Sequence, residues 1–123
     1  MNVVDSSGWL EYFAGTKNGE LFAKQIENPG QLVIPVITIY EVFKKILTDV
    51  NEEHALKIAA HMRLGKVVDV DLTLSLEASK FSKQYKLPMA DALIYATAYL
   101  HQCTLWTQDE HFKALPRVRY FPK

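Results

Sequence analysis

The sequence predicts an α/β protein: a central, mostly parallel sheet of four or five strands, covered by helices on both faces in three α/β/α layers. Two observations predict it. Short apolar runs alternate along the chain with longer segments whose apolar residues recur at helical spacing. The inner runs are apolar at every position, as strands buried on both faces are, and do not alternate as half-exposed strands do. The 123 residues suit one compact domain, expected to span 1–123.

Val3-Val4 is short, apolar and β-branched, and forms the first strand, ending at Asp5. "SSGWLEYFAG" reads as a short helix stopped by Gly15. "GELFAKQIEN" places Leu21, Phe22 and Ile26 on one helical face, and Pro29-Gly30 ends it. "QLVIP" is a second strand. In "TIYEVFKKILTDV" the residues Ile39, Val42, Phe43, Ile46, Leu47 and Val50 form an apolar stripe, so the segment is an amphipathic helix. "NEEHALKIAAHMRL" is another helix, with Asn51 as N-cap and Gly65 as stop. "KVVDV" is the third strand, "TLSLEASKFSKQYK" a helix, and "PMADALIYATAYL" a helix entered through Pro88. "CTLWT" is the fourth strand, "QDEHFKAL" a short helix, and "RVRYF" a fifth strand at an edge.

Composition narrows the class. Hydrophobic residues make up 49%, too many for a disordered tail. Fourteen Lys and Arg balance 14 Asp and Glu, which excludes a strongly basic nucleic-acid coat but not a local basic patch. Cys103 is the one cysteine, so no intrachain disulfide forms and a reducing compartment is expected. No apolar run approaches the roughly 20 residues of a membrane span, and no signal peptide is visible. A soluble, cytoplasmic protein is expected.

In open α/β sheets ligands bind beyond the carboxyl ends of the strands. Asp5 ends the first strand, Glu41 lies in the first turn after the second, and Asp109 lies just past the fourth. Asp91 is the one charge in "LPMADALIYATAYL", where an ionised carboxylate is costly unless paired. A crossover helix would place Asp91 at the opposite rim. Two helices between Val70 and Cys103 allow the Pro88 helix to enter from the carboxyl rim instead. Each acid also has a local explanation. Asp5 suits an N-cap, Thr38–Glu41 and Thr107–Glu110 match a capping box, and Asp91 suits the positive end of a helix. Jointly, acids gathered in one cleft repel unless a cation sits among them. Three or four carboxylates suit one or two hard divalent ions, Mg²⁺ or Mn²⁺, whereas one cysteine and scattered histidines supply a zinc site poorly. His54, His61, His101 and His111 read as ordinary helix residues, and a metal is the expected partner of Asp91.

"VVDSSGWLEYF", "TIYEVFKKI", "MADALIYATA" and "LWTQDEHF" resemble, in order and spacing, the acidic motifs of the PIN-domain family. They are most similar to those of VapC-type toxin ribonucleases of toxin–antitoxin pairs. "DALIYATA" and the T-x-D-x-x-F pattern are the most specific pieces. The resemblance covers nearly the whole chain. Ser6 stands where many relatives carry threonine or asparagine. The resemblance implies a PIN-like fold and a Mg²⁺- or Mn²⁺-dependent endoribonuclease. It also implies a homodimer and a small antitoxin that inhibits the site. Its acids fall on Asp5, Glu41, Asp91 and Asp109, and its supporting polar positions on Ser6 and Thr107. Asp5 and Asp91 are then expected as direct metal ligands. Asp109 is expected to bind directly or through water, and Glu41 to orient water or hold a second ion.

An acidic cleft repels RNA, so phosphate contacts must come from flanking cations. Lys44 and Lys45 lie one turn beyond Glu41, and Lys113, Arg117, Arg119 and Lys123 lie near the C-terminus. Trp9 and Trp106 read as core rather than as platforms for bases. Helices in the N-terminal half, "NGELFAKQI" and "NEEHALKIAAHMRL", are expected to supply the dimer surface. Two rivals stand beside this reading. A phosphoacceptor receiver domain needs paired acids at the first strand and a lysine after the last, and "DSS" and "TLWT" supply neither. A non-catalytic PIN-like binding module would share the fold.

Overall fold

The computed structural model describes residues 1–123. Five short strands, β1 (Asn2–Val4), β2 (Val33–Pro35), β3 (Lys66–Val68), β4 (Thr104–Thr107) and β5 (Val118–Tyr120), are interleaved with six helices. These are α1 (Ser6–Ala14), α2 (Glu20–Ile26), α3 (Val36–Asp49), α4 (Glu52–Met62), α5 (Leu72–Tyr85) and α6 (Met89–Leu100). All strand pairs are parallel. The ladders β2–β3 and β1–β4–β5 are joined by a single bridge, Asn2 to Leu32, giving the order β3-β2-β1-β4-β5.

Alternate residues of the inner strands feed two cores. Val3, Val33 and Leu105 pack with α5 and α6 residues such as Phe81, Ile94 and Tyr95. Val4, Leu32 and Ile34 pack on the other face with Trp9, Phe22, Val42 and Met62. Val3, Val4, Ile34 and Leu105 lose all contact with water, each contributing on the order of 1.5–3 kcal/mol of transfer free energy. Gly8 lets the first turn of α1 close onto the sheet. A Cβ there would stand 2.7 Å from Val4 Cγ1 and 2.8 Å from Phe22 Cδ1.

Several expectations are refined. Asn51 caps α4 by accepting the His54 N–H, but α4 ends at Met62, before Gly65. Gly65 is required by closeness instead, since its Cβ would lie 2.9 Å from Ile34 Cγ1. β3 is confined to three residues and is largely exposed at the sheet edge. The helix expected over "QDEHFKAL" is only a 3-10 turn, Glu110–Phe112. Ala114 takes φ +73° and Pro116 follows, so the chain cannot continue as a helix. No helix is long and apolar enough to cross a membrane.

Candidate active site

Because every strand is parallel, the residues that follow β1 and β4 emerge at one rim. Asp5 continues the β1 ladder, its N–H donating to Trp106 O at 2.9 Å, and stands at the entry to α1. Its side chain does not cap that helix. Asp5 Oδ2 instead accepts two hydroxyls, Ser7 Oγ and Thr107 Oγ1, each at 2.9 Å. The residue is 3% exposed. Burial, reinforced by the charges of Asp91 and Asp109, pushes its carboxyl up to about 6 against the pull of the two hydroxyls.

Thr107, at the end of β4, has a second task. Its Oγ1 accepts the Asp109 N–H at 2.9 Å and so fixes the turn that carries Asp109. Asp109 Oδ1 accepts the His111 N–H at 2.9 Å, which makes it the N-cap of the 3-10 turn. The local explanation therefore holds for Asp109, with Asp109 itself and not Thr107 as the cap.

Asp91 lies in the first turn of α6, and Pro88 precedes the helix as its cap position. Its Oδ2 is 2.8 Å from His111 Nδ1, and the same nitrogen is 3.5 Å from Asp109 Oδ1. One ligand atom from each of Asp91, Asp109 and His111 lies within 4.8 Å of the others. α6 thus starts at the carboxyl rim and runs down to β4, which removes the topological difficulty. Burial raises the Asp91 carboxyl, and Asp109 adds to the rise, while the His111 hydrogen bond and charge oppose it. His111 is raised in turn, first by its bond to Asp91 and then by the charge of Asp109.

His111 corrects the expectation of an ordinary helix histidine: it is the protein partner of Asp91. The contact spans 20 residues of sequence and is set by the turn after β4, so local spacing carried no sign of it. The other three histidines match the expectation. His54 bonds Asn51, His101 bonds its own helix, and His61 packs edge-on against Phe13.

Glu41 lies in the second turn of α3 and not at a capping position. Thr38 Oγ1 donates to Pro35 O, and Glu41 Oε1 accepts Ser6 Oγ at 2.7 Å. Ser6 follows Asp5 directly, so Glu41 is tied to the cluster through one hydroxyl. Lys44 and Lys45 share with Glu41 a hollow of about 270 Å³, also lined by Tyr40 and Thr48. Lys45 is paired with Asp49 at 3.1 Å, and Lys44 lies over the Tyr40 ring.

The C-terminal cations divide. Arg117 precedes β5, its carbonyl accepts the Leu105 N–H, and its guanidinium lies over Tyr99 near the end of α6. It therefore stands at the rim opposite the carboxylates. Arg119 lies across Trp106 on the sheet face, and Lys113 over Tyr120. Lys123 lines a hollow with Asp109 and His111. Trp9 is buried in the core on the α1–α4 side, and the partly buried Trp106 packs against that core.

Two comparisons bear on this arrangement. Residues 3–118 match the family model described as PIN domain. Among solved structures, the chain is similar to a toxin–antitoxin complex from Klebsiella pneumoniae, with TM-score 0.83, 21% identity and 100% of both chains covered. It is similar to DNA-bound VapBC from Salmonella typhimurium, with TM-score 0.74, 16% identity, and 99% and 98% of the two chains covered. The sarcin–ricin loop cleaving toxin VapC20 of Mycobacterium tuberculosis has TM-score 0.68 and 17% identity, over 85% of each chain. No curated protein matches the chain. With a family model spanning nearly the whole sequence and the fold shared with these structures, the chain belongs to the PIN domain family.

Proposed function

We propose that this protein is a divalent-metal-dependent endoribonuclease of the VapC type, the toxin of a toxin–antitoxin pair. The observation that carries the proposal is the convergence of Asp5, Asp91 and Asp109 at one rim in a PIN-family chain, with Glu41 tethered through Ser6. The similar structures support the toxin reading by what they are: one is a toxin–antitoxin complex, another is VapBC bound to DNA, and a third is a sarcin–ricin loop cleaving toxin.

The donor set fits a hard cation. No lysine or arginine pairs with any of the three aspartates, and the one basic side chain bonded to them is the imidazole of His111. Burial, with the charges of Asp91 and Asp109 adding to it, raises the Asp5 carboxyl to about 6. Asp5, Asp91 and Asp109 would hold Mg²⁺ or Mn²⁺. The chemistry such an ion supplies is a water of lowered pKa and positive charge beside the phosphorus. The chain's own residues do the positioning. Thr107 fixes Asp5 through its hydroxyl and Asp109 through the backbone. Ser6 aims Glu41 toward the same cleft, where its carboxylate can orient the attacking water. Lys44, in the hollow beside Glu41, is placed to meet a backbone phosphate.

The proposal includes an antitoxin that reaches this site, a homodimer and a cytoplasmic location. Leu21, Leu56 and Leu64 are the exposed apolar residues of the N-terminal segments expected at the dimer surface, while Leu72 and Met89, each 75% exposed, offer a second apolar region on α5 and α6. The test of the activity is cleavage of labelled RNA by the purified protein with Mg²⁺ or Mn²⁺ and with EDTA. Metal-dependent cleavage, lost in Asp5→Asn, supports the proposal. RNA left intact by wild-type protein with either metal overturns it in favour of a binding module.

A further inference from the structure

His111 is joined to two of the three aspartates proposed to hold the metal. Its Nδ1 lies 2.8 Å from Asp91 Oδ2 and 3.5 Å from Asp109 Oδ1. One ligand atom from each of these three residues lies within 4.8 Å of the others, a convergence that Asp5 does not join. Donors around one octahedral ion at about 2.0–2.1 Å stand about 3 Å apart when adjacent and about 4 Å apart when opposite. Both separations from Nδ1 therefore suit donors to a common ion, with nitrogen as one of them.

The fold fixes the imidazole in this place. The His111 backbone N–H donates to Asp109 Oδ1 at 2.9 Å, so the residue follows Asp109 wherever the turn after β4 sets it. Phe112, with no exposure to water, anchors the same 3-10 turn in the core. Asp91 meets the ring from the first turn of α6. The ring is not occupied by packing. His61 lies against Trp9, Tyr12 and Phe13, whereas the side chain of His111 is 56% exposed and its Nδ1 faces carboxylates. A neutral imidazole so exposed can carry its proton on Nε2, in water, and offer the Nδ1 lone pair to an ion.

We propose that His111 Nδ1 is a ligand of the ion held by Asp91 and Asp109, which makes this a mixed nitrogen and oxygen site that selects Mn²⁺ over Mg²⁺. Mg²⁺ takes oxygen donors and gives up its water reluctantly. Imidazole is a softer donor that first-row transition ions accept. The nitrogen thus adds to Mn²⁺ affinity what it does not add to Mg²⁺. This assignment deepens the metal-dependent ribonuclease reading and rests on it.

Mn²⁺ serves as its own probe, without RNA or turnover. Pulsed electron paramagnetic resonance of the Mn²⁺-loaded full chain detects a nitrogen bonded to the ion as modulation of the electron spin echo. Wild type should show that modulation, and His111→Ala should lose it. His111→Asn, whose side-chain carbonyl can put an oxygen near the place of Nδ1, should bind Mn²⁺ without it. Titrations that follow free Mn²⁺ should give His111→Ala a Kd for Mn²⁺ raised roughly ten-fold or more, and a Kd for Mg²⁺, read by competition, within about three-fold of wild type. His54→Ala removes an exposed imidazole elsewhere and should change none of these quantities. Asp91-dependent Mn²⁺ binding by wild type with no nitrogen modulation overturns the His111 assignment alone. So does His111→Ala that binds Mn²⁺ as tightly as wild type or tighter, since the imidazole would then be a group that the ion expels. Wild type that binds neither ion, or binds Mn²⁺ no better than Asp91→Asn does, overturns the metal-dependent reading and this assignment with it.

Discussion

Replacing Asp91 by asparagine separates a metal ligand from a helix-dipole aspartate. Asp91 sits in the first turn of α6, where a carboxylate ordinarily gains about 0.3–1 kcal/mol from the helix dipole. If that were its whole role, the variant would lose about that much stability, with or without metal. The structure argues for a different outcome. Burial and the neighbouring Asp109 charge raise the Asp91 carboxyl above its ordinary value, so in metal-free protein the ionised form is strained rather than favoured. Asparagine keeps an oxygen that can accept from His111 and removes the charge that repels Asp5 and Asp109. Metal-free Asp91→Asn should therefore melt at or above the wild-type temperature. With metal the order reverses. A ligand at a hundred-fold excess over Kd stabilises the native state by about 2.7 kcal/mol. For a chain of 123 residues that is a rise of roughly 10 °C in Tm. Thermal melts of both proteins in EDTA and in millimolar Mn²⁺ or Mg²⁺ provide the assay. Wild type should gain roughly 10 °C from metal and the variant only a few degrees. An equal rise in both proteins would refute the reasoning.

Other outcomes follow from the same geometry. The raised Asp5 carboxyl makes a pH prediction for metal-free protein. Its folded value is about 6 against an ordinary 3.8, so its contribution to stability is complete below pH 3.8 and is lost as pH rises through 6. The full span is on the order of 3 kcal/mol, and denaturant melts in EDTA should show wild type losing about 2 kcal/mol of it between pH 4 and 6.5 relative to Asp5→Asn. Ser6→Ala releases Glu41 without touching the aspartates, and should cut kcat for RNA cleavage 10- to 100-fold with a stability change near 1 kcal/mol. Gly8→Ala forces a methyl against Val4 and Phe22 and should cost about 1–3 kcal/mol in a urea melt, while Gly15→Ala meets only its left-handed backbone cost.

The parallel sheet was legible in the sequence because its inner strands are apolar on both faces, and Val3 and Val4 do serve opposite cores. The acids were legible because each follows a strand or opens a helix in a recognisable motif. What escaped the sequence was mostly non-local. His111 meets Asp91 only after β4 and its turn have brought the two together. The capping box at Thr38–Glu41 failed because α3 begins at Val36, which moves Glu41 a turn inward and frees it for Ser6. Arg117 looked like a neighbour of the cleft by its place near the C-terminus. β5 runs parallel to β4, however, so the residue before it emerges at the far rim. The hydrogen bond from Asn18 to Gln108 joins residues 90 apart, which no periodicity encodes.

The most direct test of the central claim is a crystal structure of the protein grown with Mn²⁺, read by anomalous difference density at the manganese edge. The account predicts a peak bounded by the carboxylates of Asp5, Asp91 and Asp109, absent from Asp91→Asn crystals grown in the same way. Saturating Mn²⁺ with no peak there would contradict it, and so would a peak elsewhere with the His111–Asp91 bond unchanged.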